Sequence, residues 1–100
     1  SPGGFDCSGF TMYVVQKALG INITHDLSVQ IGMGSSVNAK NLQPGDLVFY
    51  QNTYEPGLSH VGIYIGGGQM IHAGSENTGV VISDMWNSYW SPKYLGARRL

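Results

Sequence analysis

The chain contains little of several residue types, and each shortage excludes a class of protein. It has one cysteine in 100 residues, so no disulfide can form within it. Charged residues make up 11% of the sequence, and five lysines and arginines are too few for the basic face of a nucleic-acid-binding domain. No apolar run approaches the length of a membrane span. We therefore expect no membrane span and no nucleic-acid partner.

The composition otherwise indicates a folded domain with many turns. Hydrophobic residues make up 42% of the chain, and 15 residues are glycine. A chain of this length fits one domain with one core, so residues 1–100 are predicted to form a single domain. The opening Ser1-Pro2-Gly3-Gly4 resembles the middle of a loop, and no charged-then-apolar leader precedes it. We expect a piece of a larger exported protein whose targeting signals lie elsewhere.

The first third of the chain predicts two helices. A helical repeat of apolar residues predicts a helix over 7–19, with Gly20 as its stop and Asp6 as its N-cap. Its inward face is predicted to carry Phe10, Tyr13, Val14, Lys17 and Ala18. A second, short helix is predicted over 25–31 with Thr24 as its cap, followed by a Gly- and Ser-rich loop over 32–36.

The rest of the chain predicts an antiparallel sheet. Gln43-Pro44-Gly45-Asp46 has the residue preferences of a type II turn. Strands are predicted over 47–50, 59–65, 69–73, 80–82 and 94–99. An aromatic segment over 86–90 is predicted to form a helical turn. Helices first and strands afterwards indicate an α+β fold.

Cys7 has the setting of a nucleophile. A cysteine attacks as the thiolate, and the amides and dipole of a helix N-terminus stabilise that negative charge. The same amides can bind the oxyanion of an acyl-transfer intermediate. The alternative is that Cys7 is a small buried hydrophobe, which is common for a lone cysteine. The histidines decide between these interpretations.

His60 and His72 can lie on one face of a hairpin. Alternate residues of a strand share a face. For His60 and His72 to lie on the same face, the loop between their strands must therefore contain an odd number of residues. A three-residue loop at Gly66-Gly67-Gly68 meets this condition, and it pairs Ile65 with Gln69 and Gly62 with His72. One histidine would then be the general base and the other would orient it. The spacing leaves open which is which.

A zinc site is the competing interpretation of these residues. Cys7, His60 and His72 could be three ligands, with Asp6 or His25 as a fourth. Zinc motifs usually contain two ligands close together on one turn, and none of the first three is so placed. We therefore expect no metal and no cofactor.

The aromatic residues near the C-terminus allow two interpretations. Trp86, Tyr89, Trp90 and Tyr94 could form a surface on which sugar rings stack. Aromatic residues in such a position more often pack in the core or along a sheet edge, and we favour that alternative.

Four ordered segments resemble the NlpC-type cell-wall cysteine peptidases. They are Phe5-Asp6-Cys7-Ser8-Gly9-Phe10, Leu42-Gln43-Pro44-Gly45-Asp46-Leu47-Val48-Phe49, Ser59-His60-Val61-Gly62-Ile63-Tyr64-Ile65-Gly66 and Met70-Ile71-His72-Ala73. The resemblance implies a papain-like α+β fold, in which the helix that carries the thiol packs on an antiparallel sheet. It also implies that the family's upstream segment, which carries a cleft-lining tyrosine, precedes Ser1.

The resemblance further implies a function and a set of site residues. Cys7 matches the nucleophile, His60 the base and His72 the orienting residue, while the positions of Asp6, Ser8 and Ser59 match substrate contacts. The implied substrate is the stem peptide of bacterial peptidoglycan, cut at the bond from γ-D-glutamate to the diamino acid. The implied location is extracellular or wall-associated, with further domains in the parent protein. An amidase, an acyltransferase and a non-catalytic wall-binding module are the alternatives.

Overall fold

The computed structural model describes residues 7–20, 26–73 and 79–100. Within helix α1, the side chains of Cys7, Ser8, Met12, Ala18 and Leu19 are outside this description. No helix in the described ranges combines the length and the apolar character needed to cross a bilayer.

Helix α1 spans Cys7–Leu19, as predicted. Gly20 ends it in the left-handed region, with φ 70°, and donates its amide to the Gln16 carbonyl at 3.0 Å. The predicted inward face is partly wrong, because Tyr13 and Lys17 are exposed and lie against each other. Among the described side chains of the helix, Phe10 and Val15 are the buried apolar ones. The N-cap predicted at Asp6 falls outside the described residues.

The second helix is shorter than predicted and has a different cap. Helix α2 spans Leu27–Gln30. Asp26 is its N-cap, because the carboxylate accepts hydrogen bonds from the Ser28 amide at 2.9 Å and the Ser28 hydroxyl at 2.6 Å. The predicted cap, Thr24, is outside the described residues.

In the described ranges, six antiparallel strands form one sheet in the order β1-β6-β2-β3-β4-β5. Their bounds are Ser35–Val37 (β1), Leu47–Gln51 (β2), Leu58–Gly66 (β3), Gln69–Ala73 (β4), Val80–Asp84 (β5) and Tyr94–Arg99 (β6). Short 3-10 helices lie at Ala39–Asn41 and Ser91–Lys93. The aromatic segment before the second one contains one helical turn, because the Ser91 amide donates to the Asn87 carbonyl at 3.0 Å. The antiparallel α+β architecture is confirmed.

The loop predicted over 32–36 is wrong in its second half, where β1 begins. Ser35 pairs with Arg99 and Val37 with Ala97. Gly34 permits this pairing: its φ is 64°, and a Cβ there would lie 2.2 Å from the Arg99 carbonyl oxygen. Ser35 and Ser36 have no apolar alternation. They form a strand because the backbone here can approach the last strand closely.

The sheet is buried on both faces. The first face carries helix α1 and a core of Phe10, Val15, Leu47, Phe49, Val61, Ile63 and Ala73. The second face carries a core of Val48, Tyr50, Met70, Met85 and Ala97, with Trp90 and Tyr94 packed against it. Strand β2 contributes alternate residues to both, which explains its continuous apolar run.

The predicted turn at Gln43-Pro44-Gly45-Asp46 is present directly before β2, and its Asp46 side chain bonds to the last strand. Gly45 has φ 101°, and the Asp46 amide donates to the Gln43 carbonyl at 3.0 Å. The buried Asp46 carboxylate accepts two hydrogen bonds of 2.8 Å from the Arg99 guanidinium. These bonds lower the pKa of Asp46, so the carboxylate is charged in the folded state.

The β3–β4 loop differs from the prediction. Gly66 pairs with Gln69, so the loop has two residues, Gly67 and Gly68, and not three. Both have positive φ, at 62° and 76°, as a tight hairpin turn requires. Ile65, which was predicted to pair with Gln69, is left over as a bulge and is 39% exposed.

The bulge restores the predicted register. Beyond it, Ile63 pairs with Ile71 and Tyr64 with Met70, which is the pairing that an odd loop would have produced. The extra residue in β3 therefore compensates for the shorter loop. His60 and His72 point to the same face of the sheet, as predicted.

We predict that Gly62→Ala destabilises the fold by about 1–3 kcal/mol, because overpacking forces neighbouring side chains to move. A Cβ on Gly62 would lie 2.7 Å from the Met70 sulfur and 3.3 Å from the Cβ of His72. Gly96→Ala is the matched control, since a Cβ at that strand position has no atom within 4 Å. Urea unfolding of both variants measures the difference, and equal stabilities would contradict the close packing at Gly62.

Candidate active site

The two histidines form a buried hydrogen-bonded pair on the second face. Nε2 of His60 lies 2.8 Å from Nδ1 of His72, and the rings are nearly perpendicular. Only 6% of His60 and 3% of His72 are exposed. Because each ring is buried, a hydrogen-bond partner removes a large desolvation penalty.

A third polar group extends this pair. The Ser83 hydroxyl of β5 lies 2.8 Å from Nε2 of His72. Both ring nitrogens of His72 are therefore engaged, one by His60 and one by Ser83. Within the described part of the chain, Nδ1 of His60 has no hydrogen-bond partner. The two histidines are thus unequal, and His60 is the one with a ring nitrogen left for another group.

Trp90 covers the pair. Its ring stacks on His60 at a centroid distance of 5.2 Å and an interplanar angle of 29°. It meets His72 edge to face at the same distance. The segment after β5 holds Trp90 there, because the Asn87 side chain accepts a hydrogen bond from the Trp90 amide at 2.8 Å.

Burial sets the charge state of both rings. Burial, with a smaller contribution from His72, lowers the pKa of His60 to about 3. Burial also lowers the pKa of His72, against an opposing effect of the Ala73 backbone. Both imidazoles are therefore neutral near pH 7, as a proton acceptor must be.

Cys7 is the first residue of α1. Its side chain is outside the described part, as are Asp6 and the side chain of Ser8. The predicted roles of these three residues therefore stay predictions.

Helix α1 packs on the face of the sheet opposite the two imidazoles. Phe10 and Val15 lie on the first face of the sheet, and the two imidazoles lie on the second. The imidazole of His60 projects from strand β3. His60 is the third residue of that strand, close to its beginning.

Ser59 is buried and holds a neighbouring loop. Its hydroxyl accepts a hydrogen bond from the Thr53 amide at 3.0 Å and lies 2.5 Å from the Thr53 hydroxyl. Asn52, with φ 55°, closes the same loop, because its side-chain Oδ1 accepts a hydrogen bond from the Gly57 amide at 2.8 Å. The predicted substrate contact at Ser59 stays a prediction, and its described hydrogen bonds go to the loop that joins β2 to β3.

The sequence patterns did not predict that Trp90 and Ser83 lie beside the histidines. Ser83 follows from the register of the last hairpin, in which His72 pairs with Val81 and Met70 with Ser83 on one face. The position of Trp90 depends on how an irregular segment crosses the second face, and no local pattern encodes that crossing.

The aromatic residues near the C-terminus separate into two groups. Trp90 and Tyr94 pack against the second-face core, as the favoured interpretation expected. Trp86 and Tyr89 are each more than 40% exposed. The exposed pair leaves sugar stacking as a prediction.

No group of three histidine, cysteine or acidic residues in the described ranges is arranged to hold a metal ion. The zinc alternative requires Cys7 together with Asp6 or His25. These side chains lie outside the described ranges, so this alternative is not tested.

We predict that the domain loses stability as the pH falls from 6.5 to 5. The folded-state pKa of His60 lies below its unfolded value, so the unfolded state binds more protons in this window. The free energy of unfolding should fall by roughly 1 kcal/mol per pH unit for each such histidine. Asp46 contributes only at lower pH, near the ordinary pKa of a carboxyl.

Urea unfolding at pH 7, 6 and 5 measures this slope, and His60→Gln should reduce it. Equal stability of the wild-type domain at pH 7 and pH 5 would show that the imidazoles accept protons without unfolding.

Comparison with known proteins identifies the family. A model of the NlpC/P60 family matches residues 1–99. The chain is 46% identical over 96 residues to "Gamma-DL-glutamyl hydrolase" of Bacillus subtilis and 48% identical over 96 residues to "Probable peptidoglycan endopeptidase LytE" of the same organism. Each match covers 96% of this chain but only 23% and 27% of the relative, so the chain spans about a quarter of their length.

Solved structures agree with this. A crystal structure of a NlpC/P60 family protein from Bacillus cereus superposes with a TM-score of 0.84 at 39% identity, over 96% of this chain and 32% of that one. RipD of Mycobacterium tuberculosis, described as a non-catalytic NlpC/p60 domain protein adapted to peptidoglycan binding, has a TM-score of 0.77 at 26% identity, over 97% and 67%. With the profile match along almost its whole length, the chain belongs to the NlpC/P60 family.

Proposed function

We propose that the chain is the catalytic domain of a cysteine endopeptidase that hydrolyses the stem peptides of bacterial peptidoglycan. The observation that carries the proposal is the inequality of the two buried histidines. His72 uses both ring nitrogens, whereas the described contacts of His60 leave Nδ1 to take a proton from the nucleophile. That arrangement suits an orienting residue and a general base, respectively.

In the proposed reaction, Nδ1 of His60 takes the proton of the Cys7 thiol. The thiolate attacks the carbonyl carbon of the scissile amide, and amides of the first turn of α1 stabilise the oxyanion. The C–N bond breaks as His60 returns the proton to the leaving amine. Water, deprotonated by the same imidazole, then hydrolyses the thioester and releases Cys7.

For the scissile bond we propose γ-D-glutamyl to diamino acid. The name of the γ-glutamyl hydrolase relative and the motif resemblance support this choice. The murein DD-endopeptidase MepS of Escherichia coli, at 42% identity, acts by its name on a different bond. The bond is therefore the feature that the first experiment must identify.

We predict that the domain releases fragments from a defined disaccharide tetrapeptide with a new N-terminus on the diamino acid, identified by mass spectrometry. Cys7→Ala should abolish release, and His25→Gln, which changes a histidine without a proposed role, should keep it. Release of free L-Ala-peptide would indicate an amidase, and transfer to an added amine an acyltransferase. Binding without cleavage by the wild-type domain would indicate a non-catalytic module such as RipD.

We predict unequal effects at the two histidines. His60→Ala should lower kcat by about 10²–10⁴-fold, the usual contribution of a general base. His72→Gln should retain more activity than His72→Ala, because the amide oxygen of Gln can still accept the Nε2 proton of His60. Steady-state rates on one muropeptide measure the order, and a greater loss at His72 than at His60 would reverse the proposed roles.

A further inference from the structure

We propose that Ser83 is a positioning residue that fixes the tautomers of both histidines by accepting the Nε2 proton of His72. The proposal rests on the proposed function, in which His60 is the base. It concerns a hydroxyl on β5 that would touch neither the substrate nor the thiol. The evidence is a line of three polar groups, His60, His72 and Ser83, which hydrogen bonds join across the second face of the sheet.

The line has two hydrogen bonds of equal length. Nε2 of His60 lies 2.8 Å from Nδ1 of His72, and Nε2 of His72 lies 2.8 Å from the Ser83 oxygen. The strand register places Ser83 opposite Met70, on the same face as His72. Because adjacent strands hold both residues, their separation is set by the sheet and not by a flexible segment.

Counting protons leaves two arrangements. A neutral imidazole carries one N–H, so His72 can donate from only one of its two nitrogens. In the first arrangement His72 donates to Ser83 and accepts from His60, which leaves a lone pair on Nδ1 of His60. In the second, Ser83 donates to His72, His72 donates to His60, and Nδ1 of His60 carries the proton.

Two considerations select the first arrangement. Only a lone pair on Nδ1 can remove a proton from a thiol. In addition, an N–H at that position would have no acceptor among the described residues, and buried N–H groups without partners are rare. Ser83 therefore acts as the acceptor at the end of the line.

The arrangement also defines what moves during the reaction. The proton of the Cys7 thiol goes to Nδ1 of His60, which becomes an imidazolium. Its Nε2 proton stays donated to His72, and the proton between His72 and Ser83 does not move. Ser83 thus sets the starting state, and no proton passes along the line.

The test is a long-range ¹H–¹⁵N spectrum of the labelled domain at pH 7, which distinguishes protonated from unprotonated ring nitrogens. We expect Nε2–H on both histidines in the wild type and a mixture of tautomers in Ser83→Ala. Ser83→Thr, which keeps the hydroxyl, should restore the wild-type pattern. Ser36→Ala, at an exposed serine on the opposite edge strand, is the matched control and should change nothing.

Muropeptide hydrolysis supplies the second readout. Ser83→Ala should lower kcat by about 5- to 10-fold with little change in KM, the effect of losing one neutral hydrogen bond. A wild-type spectrum with the proton on Nδ1 of His60 overturns the proposal, even if Ser83→Ala does not fold. Unchanged tautomers and unchanged kcat in a folded Ser83→Ala domain overturn it as well.

The two readouts separate this proposal from the proposed function. If the wild-type domain cleaves no muropeptide while the tautomers still depend on Ser83, the positioning by Ser83 holds and the catalytic function fails.

Discussion

The hydrogen bond between His60 and His72 depends on more of the structure than any other described contact. It requires the two rings to share one face of the sheet, which the bulge at Ile65 provides by offsetting a two-residue loop. It is aided by Gly62, because a Cβ there would clash with the Met70 sulfur and press on the Cβ of His72. It also requires Trp90 to exclude water from the rings. A change in any of these would expose or separate two polar groups that are buried together.

The burial of both sheet faces then decides where chemistry can occur. The first face is covered by α1 and the second by the segment that carries Trp90. His60 stands near the beginning of β3, beside the loop that Ser59 holds against the strand. The proposed chemistry therefore belongs at this end of the strand, and not over the middle of either covered face.

Local patterns predicted most of the fold. The bounds of α1, the turn before β2 and the strands around both histidines follow from apolar periodicity and from glycine positions. The shared face of His60 and His72 was correct, although the predicted loop length was wrong, because the bulge and the shorter loop cancel in their effect on register. Strand β1 was missed because Ser35 and Ser36 have no apolar alternation and become a strand only through pairing with β6. Trp90 and Ser83 were missed because elements distant in sequence bring them to the histidines.

In the proposed mechanism, burial of His60 has two opposite effects. It keeps the imidazole neutral at physiological pH, so the ring can accept the thiol proton. It also disfavours the imidazolium that this transfer creates, since the charged form loses its hydration. In this mechanism the negative charge of the Cys7 thiolate compensates for that loss, and the helix dipole stabilises the thiolate in turn. Proton transfer is then favourable only when the thiol is in place beside Nδ1. A lone pair held on that nitrogen before the thiol approaches removes one rearrangement from the reaction, which is why the tautomer of a ring two hydrogen bonds from Ser83 matters.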